Sequence, residues 1–407
     1  MESSFIKSDD TKILLSSCLK ENSFGRTDLV NFLKEKGTLA SCKVDGEFKY
    51  NDWNFEKTVV RDDGTVLFEG NCFSSQSLIS LLLKNRNERT PLENKKIIYV
   101  FKVLDHIIQN GIFCEEADAT EKTFIPGPEG IFISNDSDDN LKILVLPGNL
   151  FERCAQNSSS YDKIQGIFVH RGLESFENAL FTRGVMAYMA VCSKQPFNQM
   201  NFEKRQADFT DENFTPLEYM VKNVQEDLYI AIDSALKLKR KKPVIKGEKR
   251  FINEKYENQR QLYLKKAQSF SFSLLQDFFT SKSTLENDED DMDFKRKRLR
   301  FEEKLSAKLK IKRFLNRNSK SIKITLICIL AGIYGLNSFH KTNQKLATSL
   351  GLTSIQTVQT LFTGIHTADV TIIQEISKGK ETKSLIQSVA GFYVTNKQRA
   401  AVDEKNG

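Results

Sequence analysis

A stretch of 17 residues without a formal charge runs from Ile324 to His340. As an α-helix with a rise of about 1.5 Å per residue it is about 26 Å long. A hydrocarbon core is about 27–30 Å thick, and Lys323 and Lys341 can reach towards the polar regions at its two ends. The pattern predicts a transmembrane helix over 324–340. The apolar residues expected to face lipid are Ile324, Leu326, Ile327, Ile329, Leu330, Ile333 and Leu336.

The alternative for this segment is a buried core helix, because its strongly apolar part, Ile324–Leu336, is only 13 residues long. The charge distribution favours the membrane. Eight Lys or Arg residues and no acid lie between 304 and 323, and such a basic flank marks the cytoplasmic side of a span. The chain is therefore expected to cross the bacterial inner membrane once, with 1–323 in the cytoplasm. The basic residues expected to set this topology are Lys308, Lys310, Lys312, Arg313, Arg317, Lys320 and Lys323.

Upstream of that helix, short apolar stretches separated by turn residues predict a small strand-rich lobe. Apolar positions in residues 10–35 follow helical spacing with a break at Gly25, and we expect helices there. Between about 38 and 85 the pattern changes to short alternating strands, with the turn dipeptides Asp45-Gly46 and Asp63-Gly64 between them.

From residue 94 onwards, longer apolar periodicities predict a mainly helical lobe with one pair of strands. A broad apolar face predicts a helix from Asn94 to about Gln109, ended by Gly111. The runs GIFIS and LKILVL predict strands on either side of the turn NDSDDN. An almost wholly apolar helix is expected over Asn178–Val191, and further helices over about 216–238 and 253–280. The expected fold class is therefore α+β.

Two further segments complete the predicted organisation. Residues 286–293 contain six acids in eight positions, which is typical of a solvated linker. Beyond the span, apolar residues between Ile355 and Ile376 keep near-helical spacing as far as Gly379, and the following SLIQSVAGFYVTN suggests a second helix and a strand. The predicted segments are 1–93, helices and a strand-rich lobe; 94–280, a helical lobe; 281–323, an acidic linker and basic segment; 324–340, the span; and 341–407, a small α-rich extracytoplasmic unit.

Composition adds limits on chemistry and location. The net charge is +7, but residues 295–323 alone carry +11, which leaves a mildly acidic remainder and a basic segment that attracts anionic lipid. The seven cysteines form no CxxC pair and the four histidines lie far apart, so we expect reduced cytosolic thiols and no metal site. The start, MESSFIKSDDTKILLSS, lacks the basic region of a signal peptide, and 30 Phe with one Trp suggest a bacterial protein.

Three segments together resemble the protein-kinase-like fold over about 94–250. RGVMAYMAVCSKQPF (Arg183–Phe197) is similar to the buried kinase helix that ends at Thr-Gly-x-x-Pro-Phe. PGPEGIFIS followed by LKILVLPG looks like the catalytic loop and the strand that leads to Asp-Phe-Gly, and Thr215–Leu238 is similar to the helical end of the larger lobe. The resemblance implies a two-lobed cytosolic body.

The catalytic groups of a kinase do not carry over onto this sequence. Aligned on these motifs, the loop Asp falls at Ile125, the Lys at Gly127 and the Asn at Gly130, while the metal-binding Asp falls near Leu146. The first 90 residues contain no Gly-rich phosphate loop and no Val-Ala-x-Lys strand. Because phosphoryl transfer needs carboxylates that hold magnesium on the phosphates, the resemblance implies a pseudokinase without catalytic residues or cofactor.

The sequence therefore predicts a non-catalytic, membrane-tethered scaffold or regulator with protein partners on either side of the bilayer. Two alternatives remain open: a divergent phosphotransferase, and a lipid- or nucleic-acid-binding protein that does not span. An unrelated α+β domain is the alternative to the kinase-like body. Residues 237–250 hold eight basic positions but few aromatics, so we expect a solvated loop and no nucleic acid. The small C-terminal unit, without a disulfide, predicts a partner or self-association.

Overall fold

The computed structural model describes residues 5–42, 47–110, 124–135, 140–197, 201–241, 250–281, 291–346, 351–377 and 379–406. The protein is α+β, strand-rich in its N-terminal part and mostly helical in the remainder. It divides into two compact units, Met1–Lys310 and Ile311–Gly407.

The described elements follow the chain in this order. The strands are β1 (Ile6–Ser8), β2 (Lys12–Lys20), β3 (Gly37–Cys42), β4 (Phe48–Trp53), β5 (Lys57–Val60), β6 (Thr65–Asn71), β7 (Ser75–Ser77), β8 (Ile131–Ser134) and β9 (Lys142–Val145). The helices are α1 (Glu21–Phe24), α2 (Leu78–Leu83), α3 (Pro91–Asn110), α4 (Gly148–Gln156), α5 (Ser175–Cys192), α6 (Phe202–Asp211), α7 (Glu226–Leu236), α8 (Arg250–Gln268), α9 (Phe272–Thr280), α10 (Met292–Arg317), α11 (Ser319–Leu346), α12 (Ser354–His366), α13 (Val370–Ile376) and α14 (Lys380–Asn406). Short 3₁₀ helices lie at Leu29–Lys34, Arg86–Glu88, Pro128–Gly130 and Leu217–Tyr219, and a π-helical turn lies at Asp162–Gly166.

The strands form two antiparallel sheets. The first has the order β1-β2-β6-β5, and the second has the order β4-β3-β9-β8-β7. In the second sheet β9 lies between β3 and β8, with Leu39 opposite Leu144 and Ile131 opposite Val145. A strand from the first 42 residues therefore pairs with one that follows about a hundred residues later.

The second sheet is covered on both faces, which explains why β8 and β9 are almost continuously apolar. Successive side chains of a strand point to opposite faces. Ile131 and Ile133 belong to the core shared with α2, α3, α5, α7 and α9. Phe132 and Leu144 belong to a second core, shared with α4 and with the first sheet through residues such as Phe68.

Helix α5 is the centre of the larger core, and each of its residues from Glu177 to Val191 is buried. It packs closely on α7: a Cβ placed at Gly184 would lie 2.6 Å from the Cβ of Ala235. On another side, Arg183 Nη1 donates to Asp105 Oδ1 of α3 over 2.7 Å. Buried charges in a protein core require such partners.

Most of the predicted elements in this unit are confirmed. Of the region 38–85 expected to form short strands, the part up to Ser77 contains β3 to β7, but Leu78–Leu83 is helix α2. The strand pair of GIFIS and LKILVL and the helices over 94–109 and 178–191 are present. Gly64 has a φ of 78°, as the predicted turn requires. Helix α3 starts three residues earlier than expected, because Thr90 and Glu93 exchange hydrogen bonds as a capping box around Pro91.

Two further predictions within this unit are wrong. Most of the first part of 10–35 is strand β2 instead of helix: Ile13, Leu15 and Ser17 are buried and β6 supplies the hydrogen-bonding partner. The helix expected over 216–238 begins only at Glu226. Its first part is a 3₁₀ turn in which Leu217 N donates to Asp233 Oδ1.

Some predictions fall outside the described residues. These are the turn at Asp45-Gly46, the helix end at Gly111, most of the turn NDSDDN, the basic residues 242–249, and residues 286–290 of the acidic linker. The last part of that linker, Met292 and Asp293, forms the start of α10.

The second unit is helical throughout its described elements. Helices α12 and α13 pack closely at Gly364. A Cβ placed on this glycine would lie 3.1 Å from side-chain atoms of Ile372 and Ile373. Ile373 is fully buried. Residues 384–396, for which a helix and a strand were suggested, all lie within α14, so the suggestion of a strand is wrong.

Candidate membrane-spanning helix and its basic flank

Helix α11 contains the apolar segment that the sequence singles out. The 21 residues Ser319–Phe339 have a mean hydropathy of 1.7, and none of them is buried by the rest of the chain. At about 1.5 Å per residue this segment is about 32 Å long, close to the thickness of a hydrocarbon core. By length and composition it is the one helix in the described part of the chain that could cross a membrane.

The seven apolar side chains named from the sequence are 54% to 71% exposed. They are Ile324, Leu326, Ile327, Ile329, Leu330, Ile333 and Leu336. Burying one such side chain is worth about 1.5–3 kcal/mol, so leaving all seven in water forgoes on the order of 10 kcal/mol. A core helix would bury the side chains on at least one of its faces, whereas all seven of these side chains are exposed.

The basic residues named from the sequence lie on the C-terminal half of α10 and at the start of α11. All are exposed: Lys308, Lys310, Lys312, Arg313, Arg317, Lys320 and Lys323. By contrast, Leu309, which lies between Lys308 and Lys310 in the sequence, is only 5% exposed. Exposed Lys and Arg within about 15–20 residues of an apolar helix are the ones that bias its orientation.

The N-terminal half of α10 is attached to the rest of the first unit by polar contacts near its start and its middle. Lys222 Nζ lies 3.1 Å from Asp291 Oδ2, just ahead of the helix. Thr215 Oγ1 donates to Glu302 Oε1 over 3.2 Å. Exposed pairs of this kind contribute little alone, but they fix which face of α10 lies against the unit.

The two positions that the kinase resemblance assigns to catalytic acids are occupied by packed apolar residues. Ile125 and Leu146 are each 1% exposed. The loop around Gly127 is held by Gln165, whose Oε1 accepts from Gly127 N over 2.5 Å and whose Nε2 donates to Ile125 O over 3.2 Å. Burial raises the pKa of Glu129, the acid of the loop FIPGPEG. No aligned position offers a carboxylate for magnesium.

Metal ligands are not gathered elsewhere in the part of the chain that the structure describes. No group of three or more His, Cys, Asp or Glu side chains there is placed to hold an ion. His106 stacks on Tyr50 and His170 stacks on Phe209, so these imidazoles are engaged in aromatic packing.

The structure also contains a basic cavity that sequence reasoning missed. It has a volume of about 310 Å³ and lies between the start of α10, the end of α5 and the 3₁₀ helix Arg86–Glu88. Its polar lining residues include Asn85, Arg86, Asn87, Lys194, Lys295 and Arg298. The four cations come from three separate parts of the sequence, and the only available signal was the high charge of 295–323.

Comparison of the chain with models of protein families gives no match, and comparison with curated proteins gives none either.

Proposed function

We propose that this protein is a single-pass membrane protein whose larger unit is a non-catalytic scaffold or regulator. The observation that carries the proposal is the exposed apolar helix Ser319–Phe339, which is long enough to cross a bilayer and follows a basic segment. An isolated apolar helix of this kind is stable where its surroundings are also apolar.

The proposed orientation places residues 1–323 in the cytoplasm and 341–407 on the far side of a bacterial inner membrane. It rests on the eight basic residues between 304 and 323 and on the scarcity of charge beyond the helix, where the next acid is Asp369. Lys and Arg next to a span are retained on the cytoplasmic side.

The proposed lack of catalysis rests on the residues at the kinase-like positions. Phosphoryl transfer relies on acids that position magnesium and the acceptor, and Ile125 and Leu146 are apolar and packed. The proposal also includes a two-lobed, kinase-like fold for the first unit. A kinase-like unit that lacks these acids would be a pseudokinase, and such domains act by binding other proteins.

A partner for the C-terminal unit is suggested by its surface. Ile355, Val358 and Phe362 lie three and four residues apart along α12, on one face of that helix, and are 72%, 50% and 64% exposed. An apolar face of this kind is typical of protein contact sites. We propose that it meets either a second copy of the chain or another protein, so that the molecule connects partners across the bilayer.

Protease protection in spheroplasts tests the proposed topology. Full-length protein with a tag after Gly407 should lose the tag to protease added to spheroplasts, while residues 1–323 remain intact. A tag placed before Met1 is the matched control and should be protected until the membrane is permeabilised. Protection of both tags, or cleavage of both, would contradict the proposed orientation.

Catalysis is tested with the same full-length protein. Incubation with magnesium and ATP labelled in the γ-phosphate should give no transfer to protein or water above that of a heat-denatured sample. Transfer above this background would replace the scaffold with a phosphotransferase.

A further inference from the structure

We propose that the basic cavity at the start of α10 is a binding site for a small phosphate-bearing anion. Its volume of about 310 Å³ is at the lower end of the range of small-molecule pockets, about 300–1,000 Å³. Arg86, Lys194, Lys295 and Arg298 line it, and no lining residue in the described part of the chain is acidic. The cavity lies within the unit Met1–Lys310, so the proposal does not depend on whether α11 spans a membrane.

One wall of the cavity comes from the first two turns of α10. Phe294, Lys295 and Arg298 all line it, and residues three and four apart on a helix share a face. The first backbone N–H groups of α10 are capped by Asp291, whose Oδ1 accepts from Asp293 N and Phe294 N. The positive charge of this wall therefore comes from the side chains of Lys295 and Arg298. This end of α10 is therefore a favourable place for an anion.

The opposite wall is preorganised by backbone contacts. Arg86 Nη1 donates to Val191 O over 3.3 Å, and Arg86 N donates to Ser193 Oγ over 2.8 Å. The guanidinium also lies 5.8 Å from the ring centroid of Phe278. Ser193 ends α5 in the left-handed conformation, with a φ of 55°, and Lys194 follows it at the cavity wall. These contacts hold Arg86 in place before any ligand binds.

Arg298 lines the cavity with a guanidinium whose hydrogen bonds are not all made within the described part of the chain. Its Nε is buried and has no hydrogen-bond partner among the described residues. The carboxylate of Glu302, one turn later, lies 3.8 Å from this nitrogen, which is too far for a hydrogen bond. A guanidinium has a planar set of donors that matches the oxygens of phosphate. Because Nε itself has almost no accessible surface, a phosphate in the cavity would meet Arg298 through the other nitrogens of its guanidinium.

The number of positive charges favours phosphate over a simple carboxylate. The cavity is lined by several cations and, in the described part of the chain, by no acid, so an anion with more than one ionised oxygen gains more there than a singly charged carboxylate. A diphosphate, or a phosphate ester with more than one ionised oxygen, balances more of this charge and offers several acceptors. Because no carboxylate lines the cavity, binding should not require a divalent cation.

Ligand binding would also affect α10. Two of the four cations belong to α10 and two to the rest of the unit, so an anion between them would attract both walls. Ligand binding and the docking of α10 must then stabilise each other, by thermodynamic linkage. The site would therefore allow a soluble or membrane-borne phosphate to control the helix that leads to α11.

The direct test is calorimetric titration of the full-length chain, in non-ionic detergent, with inorganic pyrophosphate at constant ionic strength. The variant K295Q/R298Q should lose affinity by about tenfold or more, because charge-assisted bonds to two cations are removed. The matched control R296Q/K297Q changes the two exposed residues between them, which do not line the cavity. It should change affinity by less than about twofold, because exposed charges that do not contact the ligand are screened by salt.

A second arm identifies the source of the phosphate. The chain in nanodiscs of phosphatidylcholine with or without phosphatidic acid is titrated with pyrophosphate. Equal pyrophosphate affinity of the native chain in both discs indicates a soluble ligand. A lower affinity of the native chain in the phosphatidic acid discs, with no such difference between the two discs for K295Q/R298Q, indicates that a lipid headgroup occupies the cavity. Both outcomes support the site. Circular dichroism establishes that each variant folds, and R298Q alone replaces the double variant if that one does not. Absence of pyrophosphate binding in detergent and in neutral discs, or equal losses in the pocket and control variants, would overturn the proposal.

Discussion

The rings of Tyr219 and Phe301 stack with their centroids 4.4 Å apart and their planes at 18° to each other. Tyr219 lies in the 3₁₀ turn before α7, and Phe301 lies on the third turn of α10. The contact holds the helix that leads to the apolar segment against the folded part of the first unit. Aromatic pairs of this type contribute about 0.5–1.5 kcal/mol beyond the area that they bury.

Replacing Phe301 with Ala should therefore release α10 without unfolding the rest of the unit. We expect faster tryptic cleavage between Lys295 and Lys310 in the full-length protein, since cleavage in a helix requires local opening. The main thermal transition should stay within about 2 °C, as for substitutions away from a core. Phe314→Ala, at a position 62% exposed on the same helix, is the control and should leave cleavage unchanged. Equal cleavage in both variants would mean that the stacking does not anchor α10.

The ion pair of Arg183 and Asp105 should be the most sensitive polar contact in the core. Both side chains are buried, and Asp105 Oδ2 also accepts from Phe272 N over 2.9 Å. Asp105→Ala should destabilise the protein by about 3–5 kcal/mol, because it leaves a buried guanidinium unpaired. Adding Arg183→Met to that variant should recover part of the loss, measured by urea unfolding.

An exposed ion pair is the comparison for this prediction. On the surface of α10, Arg296 Nη1 lies 3.2 Å from Asp293 Oδ1, and the Asp293 side chain is 83% exposed. Asp293→Ala should cost less than about 1 kcal/mol. If Asp105→Ala costs no more than this, or if the double variant is less stable than Asp105→Ala, the assigned role of the buried pair is wrong.

Stability should depend on pH through Asp233. Burial raises the pKa of this carboxyl to about 7, against the opposing effects of Lys237 and of the hydrogen bond from Leu217 N, while Glu218 adds to the rise. The folded protein then holds a proton that the unfolded chain releases near its ordinary pKa of 3.8. Between about pH 4 and 7 the folded state binds more protons, so this group lowers the free energy of unfolding as the pH rises.

Asp233→Asn should remove that dependence while keeping an oxygen that can accept from Leu217 N. At pH 8 the variant should be more stable than the native chain by on the order of 1 kcal/mol or more, and near pH 4 the two should be similar. Denaturant unfolding at both pH values measures the difference. A variant that is less stable than the native chain at pH 8 would show that Asp233 is held as a favourable charge.

The basic flank should control insertion without supporting the fold. Lys308, Lys310, Lys312 and Arg313 are all exposed. Replacing the four with Gln should weaken or invert membrane insertion, read from the accessibility of a C-terminal tag, because these charges lie within the range that decides orientation. The far-ultraviolet circular dichroism of the first unit should be unchanged. Unfolding of that unit in the quadruple variant would assign these residues to its core instead.

The helices of this protein were predicted better than the pairing of its strands. The apolar helix within α11 could be predicted because a candidate span is defined by the length and apolarity of one contiguous run of residues. Strand β2 was expected to be helical because a short apolar run such as KILL fits both periods. The choice is made by β6, which begins 45 residues after Lys20 and provides its hydrogen bonds.

The basic cavity shows the same limit at the level of a site. Arg86, Lys194 and Lys295 are each about a hundred residues apart, and each alone is an ordinary surface cation. They meet because α5 ends beside the 3₁₀ helix at Arg86 and α10 begins against both. This arrangement depends on contacts between distant parts of the chain and cannot be predicted from local sequence. The basic flank of α11 is contiguous in sequence and could be predicted.

Extraction of cell membranes with alkaline carbonate tests whether α11 crosses a membrane. The native chain should remain in the membrane pellet. I327D/L330D should be released, because each acid near the centre of a span costs about 2.5–3.5 kcal/mol. I355D/F362D, which places acids on the exposed face of α12, should stay in the pellet. Release of the native chain by carbonate would contradict a spanning helix.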